Sequence, residues 1–307
     1  MRLAVLGIAV SLVVLAGAAF ADSVVAQMWD AHGCWIDRPP REVPPRRDRD
    51  ELGTAARVRG AQPGGYVAFT FDDGPSEHTT LEVLDTLDDY DVPATFFVVG
   101  WRLTAGRRGA DDRIALLDDI VRRGHLIGNH TFKHNKLDQV SARAQRKEID
   151  RTHDRIQDLV GFRPYLFRPP YGRMTGVARR HLAKRAYTEV RWNIDPNDFL
   201  LKDPDRLRAK VVGQIVQTGG GVVLLHDTKP ATAKALPQIL SDLEKENCRR
   251  RKARETLIVP VSLHYFIRNE DGSDRPIPDA VTDRTTSYLR GLEARCKSRI
   301  DKAQATN

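Results

Sequence analysis

The chain has 307 residues, of which 41% are hydrophobic and 29% charged, a composition typical of a globular protein with a sizeable core in one main domain. Its formal net charge of +8 is a mild excess, and interspersed acids favour a solvated surface, weakly attracted to acidic envelope polymers, over a nucleic-acid-binding one. The three cysteines are too few for a disulfide scaffold, and their spacing excludes a zinc knuckle.

The first residues have the pattern of a signal peptide. An apolar run from Leu3 to Ala19 leads into Ala19-Phe20-Ala21, the small-x-small form of a signal-peptidase site, so we predict removal of residues 1–21. An uncleaved membrane anchor is the alternative, but the run matches only the shortest spanning helices and has no basic stop signal. The sequence thus predicts an exported protein that is periplasmic or secreted. Peripheral association with the cell envelope is compatible with this prediction.

Three further segments follow the signal peptide. Residues 22–64 are rich in proline and arginine, and we interpret them as a linker that buries little. The folded domain is predicted at residues 65–265. A polar C-terminal extension at 266–307 shows no evident chemistry, and a helix is predicted there from Arg284 to Lys302.

The cysteines allow one disulfide outside the cytosol. Cys248 and Cys296 are the favoured pair because both lie in the C-terminal region, and Cys34 would be left over. Three unpaired buried thiols are the alternative.

Between residues 65 and 265, short apolar runs alternate strictly with segments of helical periodicity. Asp203-Pro204 has the form of a helix N-terminus. Gly124, Gly161 and Gly219 stand where helices are expected to end. This alternation predicts right-handed βαβ units around a parallel sheet. The predicted strands are Tyr66 to Phe71, Ala94 to Val99, Leu126 to Asn129, Tyr165 to Arg168, Thr188 to Ile194, Val222 to Leu225 and Thr256 to Leu263. The predicted helices are Thr79 to Tyr90, Asp111 to Arg123, Ser141 to Val160, Thr175 to Arg185, Pro204 to Thr218 and Ala231 to Arg254.

Such a sheet could close into a barrel or stay open, and its hydrophobic pattern fits both. Polar clusters favour the barrel because they follow the ends of five different strands. A barrel gathers chemistry from many strand ends at one face, whereas an open sheet concentrates its ligands at one switch point. We therefore predict an α/β fold, a distorted (β/α)7-type barrel of parallel strands. The clusters are Asp72-Asp73, His130, Arg168, Asp195 to Asp198 and His226-Asp227.

Two of these clusters have the composition of a metal site. Asp72 and Asp73 are adjacent carboxylates at a strand end and can take different roles there, although turn chemistry alone would also explain them. His130 and His134 have the i, i+4 spacing that puts two imidazoles on one side of a helical turn, where they can share a metal; such pairs also arise by chance. Residue 131 is threonine rather than the glutamate of His-Glu-x-x-His proteases, so a base must come from elsewhere.

Two other strand ends carry candidate catalytic groups. Arg168 could hold a carboxylate ionised, and the stiff backbone after Pro169-Pro170 could aim the N–H of Tyr171 at a developing oxyanion. A surface arginine at a rigid turn is the alternative. His226 and Asp227 end another strand and are further candidates for a catalytic role. The alternative is that His226 is a core histidine and Asp227 caps a helix.

Together these segments resemble the motifs of the polysaccharide deacetylase family, also called the NodB homology domain or carbohydrate esterase family 4, over residues 65–265. Phe199 departs from the family pattern, which usually has tryptophan there, and this bears on the shape of the substrate groove. The matching segments are Thr70 to Gly74, His130 to His134, Arg168 to Gly172, Asp195 to Phe199 and Leu224 to Asp227.

The resemblance implies a ligand set and a set of roles. Asp73, His130 and His134 would bind Zn²⁺, or Co²⁺, Ni²⁺ or Mn²⁺ in its place. The remaining roles implied are Asp72 as general base, Arg168 as its positioning group, the Tyr171 N–H as oxyanion donor, His226 as general acid and Asp198 as the group that tunes it.

We therefore expect an exported, metal-dependent hydrolase of carbon–nitrogen bonds that deacetylates N-acetylglucosamine-containing glycans such as peptidoglycan or chitin. The acetylated polysaccharide is the one partner inferred, and no stable protein partner is. One alternative is an esterase for O-acetylated glycans of the xylan type. Another is a non-catalytic carbohydrate-binding barrel, against which the complete set of candidate residues argues.

Overall fold

The computed structural model describes residues 52–53, 57–61, 64–269 and 271–305. Contacts divide the chain into residues 1–40 and 41–307, and the first unit lies outside the described residues together with the predicted signal peptide. Within the described ranges, no helix is both long enough and apolar enough to cross a membrane.

Seven parallel strands form one sheet, as predicted. The strands are β1 Tyr66–Asp72, β2 Ala94–Val98, β3 Leu126–Asn129, β4 Leu166–Phe167, β5 Thr188–Glu189, β6 Gly221–His226 and β7 Val259–Pro260. Their hydrogen-bonded order is β5-β4-β3-β2-β1-β6, and β7 also pairs with β1. The strands are almost entirely buried, as in parallel sheets covered on both faces.

Isolated bridges connect the two ends of this order. After β5 the chain crosses to β6, where Ile194 forms a parallel bridge with Val223. Val58 forms a second parallel bridge, with Val190, and only 3% of its surface is exposed. The sheet is thus the predicted distorted barrel, in which short bridges replace a full ladder between β5 and β6. Part of the predicted linker contacts it.

Seven helices are described. They are α1 Thr80–Asp89, α2 Ala110–Arg122, α3 Ala142–Val160, α4 Gly176–Lys184, α5 Pro204–Thr218, α6 Pro230–Ala253 and α7 Asp279–Ala305. The predicted end signals are confirmed. Asp203 Oδ1 accepts hydrogen bonds from the backbone N–H groups of Asp205 and Arg206 at the start of α5. Gly161 and Gly219 end α3 and α5 with φ of 73° and 69°, in the left-handed region that favours glycine.

Two strands, β5 and β7, are much shorter than predicted, because side chains and other segments replace their strand partners. The Val190 N–H still donates to Phe167 on β4, but beyond it the chain bonds first to Val58 and then to β6, so β5 ends early. The Asn247 side chain accepts from the Ile258 N–H and donates to the Ile258 carbonyl, both at 2.8 Å. The backbone N–H and carbonyl of Ile258 therefore have their hydrogen-bond partners without a neighbouring strand, and β7 begins only after this residue.

The C-terminal extension is joined covalently to the barrel. Its predicted helix is present as α7, which contacts α6 and β7 and buries Tyr288 and Leu292. A disulfide links Cys248 on α6 to Cys296 on α7, which confirms the predicted pair. Cys34 lies outside the described residues.

Removal of this disulfide is expected to destabilise the protein. It closes a separation of 48 residues, for which loop-closure entropy gives a loss of about 2–4 kcal/mol in the free energy of unfolding. Chemical denaturation of the Cys248→Ser/Cys296→Ser double variant measures this. Reductant should move the wild-type midpoint to that of the variant and leave the variant unchanged. Equal midpoints of oxidised wild type and variant would contradict the prediction.

Candidate functional site

Four strand ends bring the predicted residues together at one face of the barrel, because parallel strands all end at the same edge. Asp72 is the last residue of β1 and pairs in register with His226, the last residue of β6. His130 and Arg168 follow β3 and β4 directly. Asp73, in the turn after β1, completes the group.

Asp73, His130 and His134 present three ligand atoms to one point, and these atoms lie within 4.8 Å of one another. Asp73 Oδ1 is 3.2 Å from His134 Nε2 and 3.7 Å from His130 Nε2. This buried oxygen receives no hydrogen bond from the described residues. A buried carboxylate oxygen facing two imidazole nitrogens suits a divalent cation with an open coordination position.

The electrostatics of these residues suit metal binding as well. Burial, and secondarily His130, lower the pKa of His134 to about 4, so its imidazole is neutral at neutral pH. Burial alone would raise the pKa of Asp73, but the surrounding basic side chains, His130, His134, His226 and Arg102, together outweigh it and the pKa falls. Neutral imidazoles and an ionised carboxylate are the forms that ligate a metal.

The predicted helical turn between the two histidines is wrong. Residues 130–134 form a loop, in which Thr131 and His134 adopt left-handed backbone conformations with φ of 66° and 59°. Side-chain hydrogen bonds hold this loop in place of helical ones. Asn129 Oδ1 accepts from the Thr131 N–H at 2.9 Å. The two imidazoles meet because of this bent loop, with ring centroids 4.9 Å apart.

Glu148, which the sequence analysis did not single out, clamps the same loop. Its buried carboxylate accepts from the backbone N–H groups of Phe132 and Lys133, at 3.0 and 2.6 Å, and from the Asn135 amide at 3.3 Å. Glu148 lies on the inward face of α3, next to the buried Ile149. The sequence did contain a signal for this role, since Glu148 is a charged residue on the apolar face of a predicted helix. Buried carboxylates are rare unless they are paired, so such a position indicates a hydrogen-bonding partner.

His130 is oriented by the backbone of the next strand. Its Nδ1 donates to the Arg168 carbonyl at 2.7 Å, which leaves Nε2 for the site. A hydrogen bond of this kind fixes the tautomer and ring direction of a metal-ligating histidine.

Arg168 is fully buried and contacts the other carboxylate. Its Nη1 donates to Asp72 Oδ1 and to Thr70 Oγ1, both at 2.8 Å. The guanidinium lies over the rings of Phe97 and Trp192, 4.2 and 5.4 Å from their centroids. The surface-arginine alternative is therefore wrong. Asp72 Oδ2 is 3.6 Å from His130 Nε2, and this carboxylate is thus held beside the candidate metal site.

His226 is the last residue of β6, which lies on the other side of β1 from β2 and β3. Its Nδ1 is 2.7 Å from Asp198 Oδ1, and its backbone N–H donates to Asp198 Oδ2 at 2.7 Å. Nε2 is 3.9 Å from Asp73 Oδ2. Burial lowers the pKa of His226, but the Asp198 hydrogen bond and charge outweigh it and raise the pKa to about 9. The imidazole is therefore cationic at neutral pH and can donate a proton from Nε2.

Asp227 does not cap a helix, because α6 begins after Lys229 and has no side-chain cap. It is fully buried, and its Oδ2 accepts from Thr80 Oγ1 at 2.5 Å. A Cβ at Gly74 would stand 2.2 Å from Asp227 Oδ2, so only glycine fits between this carboxylate and the Asp73 turn. Burial raises the pKa of Asp227 to about 7.

Two exposed aromatic residues flank the open side of the site. Tyr171 is 58% exposed and lies in a turn with φ of 57°, its ring centroid 4.7 Å from that of His134. Phe199 is 50% exposed and packs edge-on against His226, with ring centroids 5.9 Å apart. Exposed rings on both sides of a polar cleft suit the apolar faces of sugar rings.

Comparisons with known proteins give a consistent result. A family model described as polysaccharide deacetylase matches residues 59–190. The chain is 34% identical over 179 residues to the peptidoglycan-N-acetylmuramic acid deacetylase of Bacillus subtilis, covering 58% of this chain and 35% of that protein. It is 32% identical over 210 residues to a peptidoglycan-N-acetylglucosamine deacetylase of Bacillus cereus, covering 66% of this chain and 93% of that protein.

A solved structure agrees with these relatives. The family 4 carbohydrate esterase from Streptomyces lividans in complex with acetate matches with a TM-score of 0.52 and 33% identity over 59% of this chain and 89% of that one. The chain spans 35%, 65% and 38% of the length of three curated peptidoglycan deacetylases that it matches, from Bacillus subtilis, Bacillus cereus and Listeria monocytogenes.

Glu148→Gln is expected to weaken binding of a divalent metal, with Zn²⁺ as the probe, about tenfold, because the loop that carries both histidines loses its charged acceptor. Competition with a chromogenic chelator measures the affinity, and circular dichroism checks the fold. Glu82→Gln, an isosteric change at an exposed position of α1, is the control and should bind as the wild type does. Equal affinities of all three proteins would show that the clamp does not position the ligands.

Proposed function

The chain belongs to the polysaccharide deacetylase family, and from that premise we propose that it is a metal-dependent deacetylase of N-acetylglucosamine-containing glycans, with peptidoglycan as the favoured substrate. The observation that carries the proposal is the convergence, at one barrel face, of a three-ligand cluster, a carboxylate paired with a buried arginine, and a histidine paired with a buried carboxylate.

We place a divalent metal, Zn²⁺ in the first instance, on Asp73, His130 and His134. The orphaned Asp73 Oδ1 and the neutral His134 support this choice. When bound, the metal supplies a Lewis acid that polarises the acetyl carbonyl and makes water acidic enough to attack near neutral pH.

Asp72 acts as the general base in this proposal. Arg168 holds Oδ1 and leaves Oδ2 facing the cluster, 3.6 Å from His130 Nε2, where it can accept the proton of the attacking water.

The remaining groups stabilise the tetrahedral oxyanion and the leaving group. The backbone N–H of Tyr171, in the rigid turn after Pro169-Pro170, donates to the oxyanion. His226 gives its Nε2 proton to the departing amine, and Asp198 keeps that proton available through Nδ1. Acetate and a free amino sugar are the products.

The proposal extends to the location of the protein. Removal of residues 1–21 as a signal peptide would deliver the enzyme to the cell envelope, where peptidoglycan lies, and residues 65–265 would form the catalytic domain. The peptidoglycan deacetylases among its relatives support this placement.

Acetate release tests the function. The metal-loaded protein should liberate acetate from peptidoglycan or from N-acetylglucosamine oligomers. Treatment with a chelator should abolish release, and Zn²⁺ should restore it, because the carbonyl is then again polarised. An O-acetylated xylan in the same panel distinguishes an esterase. Absence of release from every acylated glycan would contradict the proposal.

Asp72→Asn should reduce kcat at least 100-fold and leave Zn²⁺ stoichiometry intact, since the amide cannot accept the proton and is not a ligand. Elemental analysis gives the metal content. Asp111→Asn, at an exposed position of α2, is the matched control. Equal activity of wild type and Asp72→Asn would favour the non-catalytic alternative or a different base.

Asp198→Asn should lower kcat and move the alkaline limb of its pH profile to lower pH. His226 must be protonated to act as an acid, and its raised pKa of about 9 keeps it so up to that pH. Without the Asp198 charge, burial lowers the pKa of His226. The protonated imidazole, which is the active form, is then lost at a lower pH as the pH rises. Asp205→Asn, on the exposed start of α5, is the control. An alkaline limb at the same pH in wild type and Asp198→Asn would show that a group other than His226 is responsible for it.

A further inference from the structure

A second cleft, of about 490 Å³, lies beside the catalytic turn. Its lining consists of Arg57, Arg59, Gly172, Arg191 and Trp192. None of these residues has a role in the proposed deacetylation. Gly172 directly follows Tyr171, whose ring contacts His134, and Trp192 lies over the guanidinium of Arg168. The cleft and the catalytic groove therefore share the Arg168-to-Gly172 segment as a common wall.

The cleft carries surplus positive charge. Among the described residues, Glu189 is the acid that pairs with its arginines, with Oε1 2.6 Å from Arg191 Nε and Oε2 3.3 Å from Arg57 Nε. Arg179 also approaches Glu189, at 3.5 Å. Arg59 is exposed, and no ion pair joins it to any residue in the described part of the chain. In the described part of the chain, one carboxylate thus pairs with three guanidinium groups and Arg59 adds a fourth positive charge, so the excess is available to an anionic ligand.

The arginines are held in place rather than displayed on a mobile loop. The Val58 N–H donates to the Glu189 carbonyl at 3.0 Å, and the Arg191 N–H donates to the Val58 carbonyl at 2.8 Å. Val58 is buried, so its neighbours Arg57 and Arg59, on extended backbone, project from the opposite face. Arg191 also donates to the Gly172 carbonyl. The backbone that carries Arg57 and Arg59 and the guanidinium of Arg191 are therefore fixed, and a guanidinium held in this way loses little side-chain entropy when it binds a carboxylate.

Trp192 gives the cleft an apolar surface beside these charges. Its ring is half-buried and backed by the Arg168 guanidinium, and it packs against the Gly172 backbone. An indole face accommodates the apolar face of a sugar ring, and a guanidinium fork matches a carboxylate in two parallel hydrogen bonds. A neutral glycan would use only the first of these.

We propose that this cleft is a subsite for a carboxylate-bearing sugar unit, adjacent to the unit that is deacetylated. The inference rests on the proposed function and narrows its substrate to an anionic acetylated glycan. In peptidoglycan the carboxylate comes from the lactyl ether of the muramic residue or from the peptide attached to it. A chitin chain offers neither and leaves the arginines without a partner.

The test compares three substrates: N-acetylglucosamine oligomers, peptidoglycan strands stripped of peptides, and strands that keep them. Arg59→Gln and Arg57→Gln/Arg59→Gln should lower the ratio of kcat/KM for stripped strands to that for neutral oligomers about tenfold, chiefly through KM, since a charged hydrogen-bonded contact is lost. Arg59→Lys should restore part of the ratio because it keeps the charge without the fork. Arg290→Gln, an exposed arginine on α7, should leave the ratio at the wild-type value.

A loss confined to stripped strands identifies the lactyl carboxylate, and a loss confined to peptide-bearing strands identifies the peptide. If the double variant keeps the wild-type ratio of kcat/KM to that for neutral oligomers for both stripped and peptide-bearing strands, the inference is overturned, even if the enzyme deacetylates every substrate. Wild-type inactivity on all substrates contradicts the proposed function instead. Calorimetric binding of stripped strands and of peptide-bearing strands to the Asp72→Asn chain, with and without the two arginine substitutions, then tests the cleft without turnover. Equal binding there also overturns the inference.

Discussion

The ion pair between Arg168 and Asp72 is the interaction on which the site depends. A guanidinium without solvent contact must be paired, since an unpaired buried charge costs several kcal/mol, and Arg168 finds its partners on β1, 98 and 96 residues earlier in the chain. Its backbone carbonyl meanwhile orients His130. One residue therefore fixes the carboxylate proposed as base and the direction of a proposed metal ligand, and it also backs the tryptophan of the neighbouring cleft.

Much of this arrangement could be predicted from the sequence because it follows from strand order. Strict alternation of strands and helices, with caps such as Asp203 and Gly161, predicted the boundaries of the six helices within residues 65–265 to within about one residue, whereas the C-terminal helix begins five residues earlier than predicted. Polar residues at successive strand ends had to meet, because parallel strands end at one edge. The Cys248–Cys296 pair followed from position in the chain alone.

Local spacing was a poorer guide where long-range contacts decide the backbone. His130 and His134 are four residues apart, yet Asn129 and Glu148 hold the loop in a non-helical form. No pattern within the motif could reveal a clamp from a helix that begins eight residues later. Val58 shows the same limit, because a single valine among arginines looks like a linker until its bridge to Val190 is seen.

The central position of β1 has a consequence for the order in which the chain can fold. β1 is the first strand, but it pairs with β2, β6 and β7, and Thr70 donates to a carbonyl 153 residues later. In a chain synthesised from its N-terminus, the backbone hydrogen-bonding groups on one edge of β1 would have no strand partner until β6 is made. Contacts between residues so far apart in sequence slow folding, and unpaired strand edges are prone to aggregation. The two halves of the site would mature at different times. The cluster around Asp73 is complete once Arg168, directly after β4, has oriented His130, whereas His226 arrives with β6, among the last strands to join.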